Sequence, residues 1–386
     1  MWARVAALAC AVLLTGCTLS ESLRHDDIRS VWAPANNATA HPTVIFATDR
    51  EPDGSASGYG LHWSATTHCG RSRLSIPAAF RWGAKPDWPN VEAPSPIVCD
   101  GSADMGGFAA AVATAAKGCG RVLLFVHGYN TTFRTALLRA GQIATDTQWR
   151  CAAALFSWSS EAKFDRYAAD IERSGYAVPE LIDTLRALAA TGLKVEILAH
   201  SMGVRPTLSA IAALCGHHVA PVADQLILAA PDVSAEHDND DFAHFLKGGA
   251  PCVKRTTIYA SDNDLILAAS EGVHGGVPRA GRVPLRDLQY AADGHVDVVD
   301  ASAARGDPLG HAYFLFSFEM MDDLMWTLAG LPIAARADPA APGGPTLRCA
   351  GACADGHYVL KVADSRGPDF KTRLLRHLWP LIFRVQ

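Results

Sequence analysis

A serine at a strand-to-helix transition is the residue of this chain best placed for nucleophilic chemistry. The segment Val195–Gly203 reads Val-Glu-Ile-Leu-Ala-His-Ser-Met-Gly, so an apolar strand ends and Ser201 follows in a tight turn before a helix. Such a turn needs small residues two positions before and after the serine, and Ala199 and Gly203 meet this need. A serine that only caps a helix would give a similar pattern, but the preceding strand favours a nucleophile for acyl transfer.

The base that would activate this serine has to be chosen by position, because the chain has fifteen histidines. The last strand of the regular pattern, Val296–Val299, is followed by a loop that ends in His311 just before a helix. An imidazole on that loop can return over the serine and accept its proton. His295 precedes its strand and His274 lies earlier in the chain, so the sequence predicts His311 as the base.

Three aspartates compete for the acid that would orient His311 and stabilise its charged form. Asp262 and Asp264 follow the strand Thr256–Ala260, and Asp232 follows the preceding strand. Asp264 is preferred because the apolar residues after it can fix the loop. Asp262 is the second candidate, and Asp232 remains a third, although it is also typical of a turn.

The elements that must position these residues alternate between strands and helices. Continuous apolar runs are typical of strands buried on both faces; they are Thr43–Thr48, Val122–Val126, Ala152–Phe156, Val195–Ala199, Leu226–Ala230, Thr256–Ala260 and Val296–Val299. Helical spacing appears between them, for example in Ala168–Ala190, where Pro179 predicts a break. The alternation predicts an α/β fold with a mostly parallel central sheet and helices on both faces.

Several short motifs resemble those of the α/β-hydrolase superfamily and, more narrowly, of a bacterial branch of uncharacterised serine hydrolases. They are Phe-Ala-Thr-Asp-Arg at 46–50, His-Gly-Tyr-Asn at 127–130, Phe-Ser-Trp at 156–158, Ala-His-Ser-Met-Gly at 199–203, Pro-Asp at 231–232 and His-Ala-Tyr-Phe at 311–314. The resemblance covers roughly Thr43–Leu328. It departs from the branch at Ser159, where the branch usually has proline.

The resemblance implies an α/β-hydrolase fold with the order Ser, Asp, His along the chain. It also implies an oxyanion hole formed by the backbone N–H groups of Tyr129 and Met202, with Gly128 allowing close approach of the backbone. His127 is expected to organise this loop by hydrogen bonds. Trp158 and Phe133 are candidates for an acyl pocket, with core packing as the equal alternative.

These residues predict a serine hydrolase that cleaves an ester or thioester of a small-molecule or lipid-like substrate through an acyl-enzyme, without cofactor or metal. An acyltransferase or a peptidase on the same triad is an alternative. So is a non-catalytic envelope lipoprotein on a hydrolase scaffold. The net charge of −5, without long runs of like charge, argues against a nucleic-acid partner. The sequence gives no indication of the oligomeric state.

The N-terminal residues 1–16 are predicted to be a signal peptide. Arg4 supplies a positive charge, and the apolar run Val5–Leu14 is too short to span a bilayer. Leu-Thr-Gly-Cys at 14–17 resembles the bacterial lipobox, which implies lipid attachment at Cys17 and anchoring in the membrane; Thr18 after it favours an outer-membrane lipoprotein facing the periplasm. The alternative is a simple cleaved signal with an incidental cysteine.

The rest of the chain is divided into a tether (17–42), an α/β-hydrolase domain (43–334) and a C-terminal extension (335–386). In the extension, Tyr358–Val362 is a candidate strand and Phe370–Phe383 a candidate helix. Of ten cysteines, eight remain after Cys10 and Cys17 are set aside. An even count in an exported protein favours disulfides. Their pairing stays open, although Cys349 and Cys353 are close enough to pair locally.

Overall fold

The computed structural model describes residues 41–75, 91–99, 105–216, 221–235, 242, 244–245, 249–282, 296–304, 309–341, 345–349 and 357–362. The expected signal peptide, Cys17 and the tether up to residue 40 lie outside these ranges, as do Cys353 and the candidate helix 370–383. Within the ranges, no helix has both the length and the apolar composition needed to cross a membrane.

The described residues form one eleven-stranded sheet. Its strands are β1 (Thr43–Pro52), β2 (Tyr59–Arg73), β3 (Ser95–Ile97), β4 (Arg121–Val126), β5 (Ala152–Ser157), β6 (Lys194–His200), β7 (Gln225–Ala229), β8 (Thr256–Ala260), β9 (Val296–Asp300), β10 (Leu347–Cys349) and β11 (His357–Leu360). Their spatial order is β10-β11-β9-β8-β7-β6-β4-β5-β1-β2-β3. Between β11 and β1 in this spatial order, all neighbouring strands pair in parallel. The antiparallel pairs lie toward the edges: β10 with β11 at one, and β1 with β2 and β2 with β3 at the other.

Helices cover both faces of this sheet. They are α1 (Gly106–Ala115), α2 (Phe133–Asp146), α3 (Tyr167–Tyr176), α4 (Val178–Ala190), α5 (Val204–Gly216), α6 (Leu265–Val273), α7 (Tyr313–Phe316), α8 (Phe318–Leu328) and α9 (Ile333–Ala337). Pro179 lies in the first turn of α4, directly after α3 ends, so the predicted break is confirmed.

The core lies in two layers, one on each face of the sheet. Every residue of β4, β5 and β7 is buried, which explains why these strands are continuous apolar runs in the sequence. One layer packs α1, α4 and α5 against the sheet. The other packs α2 and α8 against the opposite face. The predicted fold class, a mostly parallel sheet with helices on both faces, is confirmed.

The sheet continues past residue 334, where the sequence placed the end of the domain. Strand β11 pairs in parallel with β9, and β10 pairs with β11. Arg336 is buried and hydrogen-bonds to Asp323 of α8. The division at residue 334 therefore cuts through one folded unit. The physical reason for the longer folded unit is that β9, without β11, would leave a row of unpaired backbone groups at the edge of the sheet.

Three disulfide bonds join the described elements: Cys69–Cys99, Cys119–Cys151 and Cys215–Cys252. Cys349 is also disulfide-bonded, and the local partner expected for it, Cys353, lies outside the described residues. The expectation of disulfides from the even cysteine count is confirmed.

Candidate active site

Ser201 lies in the sharp turn that the sequence predicts. Strand β6 ends at His200, a single 3-10 turn spans Ser201–Gly203, and α5 begins at Val204. The backbone of Ser201 has φ +52°, in the left-handed region that residues with a side chain seldom occupy. Such strain persists where the surrounding structure enforces it, and it is common at catalytic positions.

Two glycines allow the loops on either side of this turn to pack backbone against backbone. A Cβ atom at Gly203 would lie 2.2 Å from the carbonyl oxygen of His127, so a residue with a side chain does not fit there. A Cβ atom at Gly128 would lie 2.8 Å from the Cβ atom of Ser201. The His127–Gly128 loop is therefore pressed against the serine, as an oxyanion loop must be.

His311 lies between Ser201 and Asp264. Its Nε2 atom is 3.0 Å from Ser201 Oγ, and its Nδ1 atom is 2.8 Å from Asp264 Oδ2. Because an ionised carboxylate only accepts, Nδ1 carries the proton and Nε2 has the lone pair that can accept the serine proton. The His311 side chain is 14% exposed and that of Asp264 is fully buried, so little of the imidazole and none of the carboxylate is open to water.

Asp264 is fixed by the helix that it begins. It is the N-cap residue of α6, and its Oδ1 atom accepts a hydrogen bond of 2.9 Å from Leu267 N. One carboxylate oxygen thus caps the helix while the other faces His311. The preferred of the three aspartates is the one that contacts the imidazole; of the apolar residues after it, Leu267 is buried and Leu265 is exposed.

The other two aspartates have different partners. Asp232 accepts hydrogen bonds of 2.6 Å from Tyr167 Oη and Ser270 Oγ, and it forms a buried ion pair with Arg279. Asp262 is exposed, and its Oδ1 atom lies 3.6 Å from Arg282 Nη2. Neither contacts His311 in the described structure, so neither is in position to orient it.

The expected oxyanion donors lie on either side of Ser201. Met202 N–H is in the first turn of a helix, where backbone N–H groups have no intrahelical partner. Tyr129 N–H donates to no group within the described ranges. Both amides are therefore available to an anion, whereas the Tyr129 side chain is engaged elsewhere, donating to the carbonyl of Phe164.

His127 organises this loop, as expected. It is buried, its ring is stacked on Trp158 with a centroid distance of 5.2 Å, and its Nδ1 and Nε2 atoms contact Gly128 O and Ser157 Oγ. Trp158 and Phe133, the candidates for an acyl pocket, are both buried in the core. Their role is packing, which was the alternative.

His200 is a neighbour of the site that sequence reasoning missed. Its ring packs on Phe314 at 4.3 Å and lies 4.8 Å from the ring of His311. Burial, and after it the nearby His311, lowers the pKa of His200 well below its ordinary value. A neutral His200 adds no positive charge beside the His311 imidazole. The only signal in the sequence was its position directly before Ser201.

Among the residues that the structure describes, no group of three or more His, Cys, Asp or Glu side chains is arranged to hold a metal ion. The site is built from a hydroxyl, an imidazole, a carboxylate and two backbone N–H groups, which together suit acyl transfer through an oxyanion intermediate.

The chain is similar to several solved hydrolase structures. A CIB-like hydrolase from Thermoplasma acidophilum is 11% identical, with coverage of 76% of this chain and 100% of that chain and a TM-score of 0.33. Fungal esterases from Rhizomucor miehei are matched at 11% identity, 76% and 84% coverage and a TM-score of 0.35. An esterase from Pseudomonas putida is 10% identical, with 80% and 86% coverage and a TM-score of 0.34. No curated protein sequence matches the chain.

One protein family matches more than half of the chain. Its description is "Alpha/beta hydrolase of unknown function (DUF900)", and the match spans residues 108–327. This range contains the oxyanion loop, the serine turn, Asp264 and His311. The chain therefore belongs to this family of α/β-hydrolases.

Proposed function

We propose that the chain is a serine hydrolase that cleaves an ester or thioester, with Ser201 as nucleophile, His311 as base and Asp264 as the orienting acid. The observation that carries the proposal is the continuous row from Asp264 Oδ2 through the His311 ring to Ser201 Oγ, with contacts of 2.8 and 3.0 Å. Nucleophile, base and orienting group are all within hydrogen-bond reach, as this chemistry requires.

The proposed reaction has two halves. Ser201 Oγ attacks the carbonyl carbon while its proton moves to His311 Nε2, and the N–H groups of Tyr129 and Met202 hold the negative oxygen. The bond to the alcohol or thiol then breaks, and that group leaves with the proton from His311. Water attacks the acyl-enzyme in the same way and gives a proton to His311. The bond from the acyl carbon to Ser201 Oγ then breaks, His311 returns the proton to Ser201 Oγ, and the acid leaves.

Exposed apolar side chains on residues that adjoin the site residues favour a lipid-like substrate. Leu265 follows Asp264 directly and is 57% exposed; Leu309 lies two residues before His311 and is 46% exposed. The two are joined by a 2.9 Å hydrogen bond from Leu265 N to Leu309 O. Phe164, whose carbonyl accepts from Tyr129, is 75% exposed. Exposed apolar residues gathered around a site are typical of a surface that contacts an apolar ligand.

The decisive experiment for this function measures the hydrolysis of 4-nitrophenyl esters of increasing acyl length by wild type and by Ser201→Ala. We expect wild-type hydrolysis to be lost in Ser201→Ala and kept in Ser174→Ala, which removes a buried hydroxyl of α3 that bonds only Ile171 O. Full activity in Ser201→Ala would refute the assignment. Product that forms only with an added alcohol or amine would indicate the acyltransferase instead.

We also propose that the protein is an outer-membrane lipoprotein facing the periplasm, anchored through Cys17. The lipobox-like segment motivates this, and the disulfides are compatible with an oxidising compartment. Metabolic labelling with a palmitate analogue tests it: the wild type should be labelled and Cys17→Ser should not. Equal labelling of both proteins would contradict the anchor.

A further inference from the structure

The motif at residues 46–50 has no role in the reaction described above, yet its last residue lies behind the oxyanion loop. Arg50 belongs to β1 and is fully buried. Its Nη2 donates 2.7 Å to Thr131 O, and its Nη1 donates to Gly60 O and Ser160 O at 2.9 and 3.2 Å. One guanidinium therefore joins the oxyanion loop to the loop after β5 and to the start of β2.

A series of hydrogen bonds, all donated in one direction, leads from this guanidinium to the peptide group between Gly128 and Tyr129. Arg50 Nε donates to Ser157 Oγ at 3.1 Å, so the Ser157 hydroxyl is free to donate to His127 Nε2, also at 3.1 Å. With Nε2 accepting, His127 carries its proton on Nδ1 and donates it to Gly128 O at 2.8 Å. All three hydrogen bonds are therefore donated in the same direction, from Arg50 toward the Gly128 carbonyl.

The Gly128 carbonyl, which accepts the last of these hydrogen bonds, belongs to the same peptide group as the Tyr129 N–H, the proposed oxyanion donor. The carbonyl of Gly128 and the N–H of Tyr129 share one planar unit and, in the trans form, point in opposite directions. A hydrogen bond that fixes the carbonyl on one side therefore fixes the direction of the N–H on the other. Donation to the carbonyl also polarises the peptide and strengthens the N–H as a donor.

The charge of Arg50 is suited to this position. Among the described residues, its guanidinium forms no ion pair, and its four hydrogen bonds go to three carbonyls and one hydroxyl. Burial raises the pKa of the adjacent Asp49 to about 8, so that carboxyl is mostly protonated at neutral pH. Burial lowers the pKa of Arg50 only to about 10, so the guanidinium stays charged. Asp170 also interacts electrostatically with Arg50, but no carboxylate among the described residues forms a direct ion pair with it, so its charge favours the formation of a negative oxygen nearby.

We propose that Arg50, Ser157 and His127 are positioning residues of the oxyanion hole, which act by clamping the Gly128 carbonyl so that the Tyr129 N–H is aimed before substrate arrives. This inference rests on the proposed function, because it assumes that a negative oxygen forms at Ser201. The clamp acts on the transition state, where the oxygen carries charge, more than on the bound ester. Its loss should therefore lower kcat and leave KM nearly unchanged.

The test compares two pairs of matched variants with 4-nitrophenyl acetate. Ser157→Ala breaks the series of hydrogen bonds in its middle. Ser72→Ala removes another buried serine hydroxyl, which bonds Glu92 O far from the site. Arg50→Lys keeps the charge but cannot span all four acceptors. Arg121→Lys makes the same change at a buried arginine that pairs with Glu196 near the amino ends of the central strands β4 and β6, away from the carboxyl end of β6 that Ser201 follows.

Losing an oxyanion donor altogether costs about a hundred- to a thousandfold in kcat, so a misaimed donor should cost less. We expect kcat to fall about tenfold in Ser157→Ala and up to about a hundredfold in Arg50→Lys, with KM within about twofold of wild type. The two control variants should keep kcat even where the melting temperature falls. An unchanged kcat in both Ser157→Ala and Arg50→Lys would overturn the proposal, and so would equal losses in the controls.

Amide hydrogen exchange on the same proteins separates this inference from the proposed function, because it needs no turnover. Thr131 N–H donates to Ser160 Oγ at 3.1 Å, within the region that Arg50 holds. We expect faster exchange at Thr131 in Arg50→Lys than in wild type or Arg121→Lys. Unchanged exchange there would show that Arg50 does not hold the loop, whether or not the wild type hydrolyses the ester. A wild type without esterase activity would instead refute the proposed function.

Discussion

At the scale of single residues, the direction of side chains selects the acid from three aspartates that lie near one another. Asp264 directs one oxygen to His311 and the other to Leu267 N. Asp232 is only a short distance away, but its two oxygens are occupied by Tyr167, Ser270 and Arg279. Such a choice depends on which way each carboxylate points, and a sequence does not contain that information.

Replacing each aspartate by asparagine separates the two candidates. Asparagine is as good an N-cap as aspartate, so Asp264→Asn should keep α6 and most of the stability. It removes the charge that orients and stabilises the His311 imidazolium, so we expect kcat to fall by about a thousand- to ten-thousandfold. The measurement is ester hydrolysis beside thermal unfolding.

Asp232→Asn is the matched control for this prediction. It leaves the buried Arg279 without its ion-pair partner, which should lower the free energy of unfolding by about 3–5 kcal/mol while most of kcat remains. If Asp232→Asn abolished activity and Asp264→Asn did not, Asp232 would be the acid.

Ser201 and His311 were predictable because their signal lies in chain order. The serine follows a strand and precedes a helix, and the histidine follows the last long parallel strand of the regular pattern. Arg50 and His200 were not recognised, because their roles come from partners distant in sequence. The contact of Arg50 with Thr131, for example, spans 81 positions, and no local pattern encodes such a contact.

At the scale of elements, the central parallel strands were predictable, and β11 (His357–Leu360) confirms the candidate strand Tyr358–Val362, whereas β10 was not predicted. Strands such as β4 are buried on both faces and give continuous apolar runs. Strands β10 and β11 have three and four residues, too few for a clear periodicity. What places them is the open edge of β9, a property of the folded sheet, and so the boundary at residue 334 was set too early.

Two truncated chains test whether the sheet needs these strands. A chain that ends at residue 334 loses Arg336 and β11, leaving Asp323 buried without its partner and β9 at an open edge. The lost ion-pair partner alone should lower the free energy of unfolding by about 3–5 kcal/mol.

A chain that ends at residue 362 keeps Arg336 and both strands and is the control for this comparison. We expect it to be clearly more stable than the shorter chain in urea unfolding. Equal stability of the two chains would mean that the domain does end at residue 334.

At the scale of the whole molecule, buried acids give the stability an unusual dependence on pH. Burial raises the pKa of Asp49 from 3.8 to about 8. Between these two values the folded chain keeps a proton that the unfolded chain has lost. The contribution of Asp49 to stability is therefore full below pH 4 and is lost as the pH rises to 8.

Asp49→Asn should remove this loss of stability at rising pH, because asparagine has no carboxyl group to ionise. We expect it to raise the free energy of unfolding at pH 8–9 by up to about 6 kcal/mol, with the advantage shrinking toward zero near pH 4. Denaturant unfolding at several pH values measures the difference. The same change at Asp53, which is exposed, serves as the control. A stability gain for Asp49→Asn that is equal at pH 4 and pH 9 would contradict a raised pKa at this carboxyl.

The most direct measurement of the central claim is the site of reaction with a fluorophosphonate, which bonds covalently to an activated serine. Peptide mapping by mass spectrometry should find one adduct in the wild type, on Ser201, no adduct in Ser201→Ala, and strongly slowed labelling in His311→Ala. An adduct on another residue, or no adduct on a protein whose folded state is verified by circular dichroism, would contradict a nucleophilic Ser201 activated by His311.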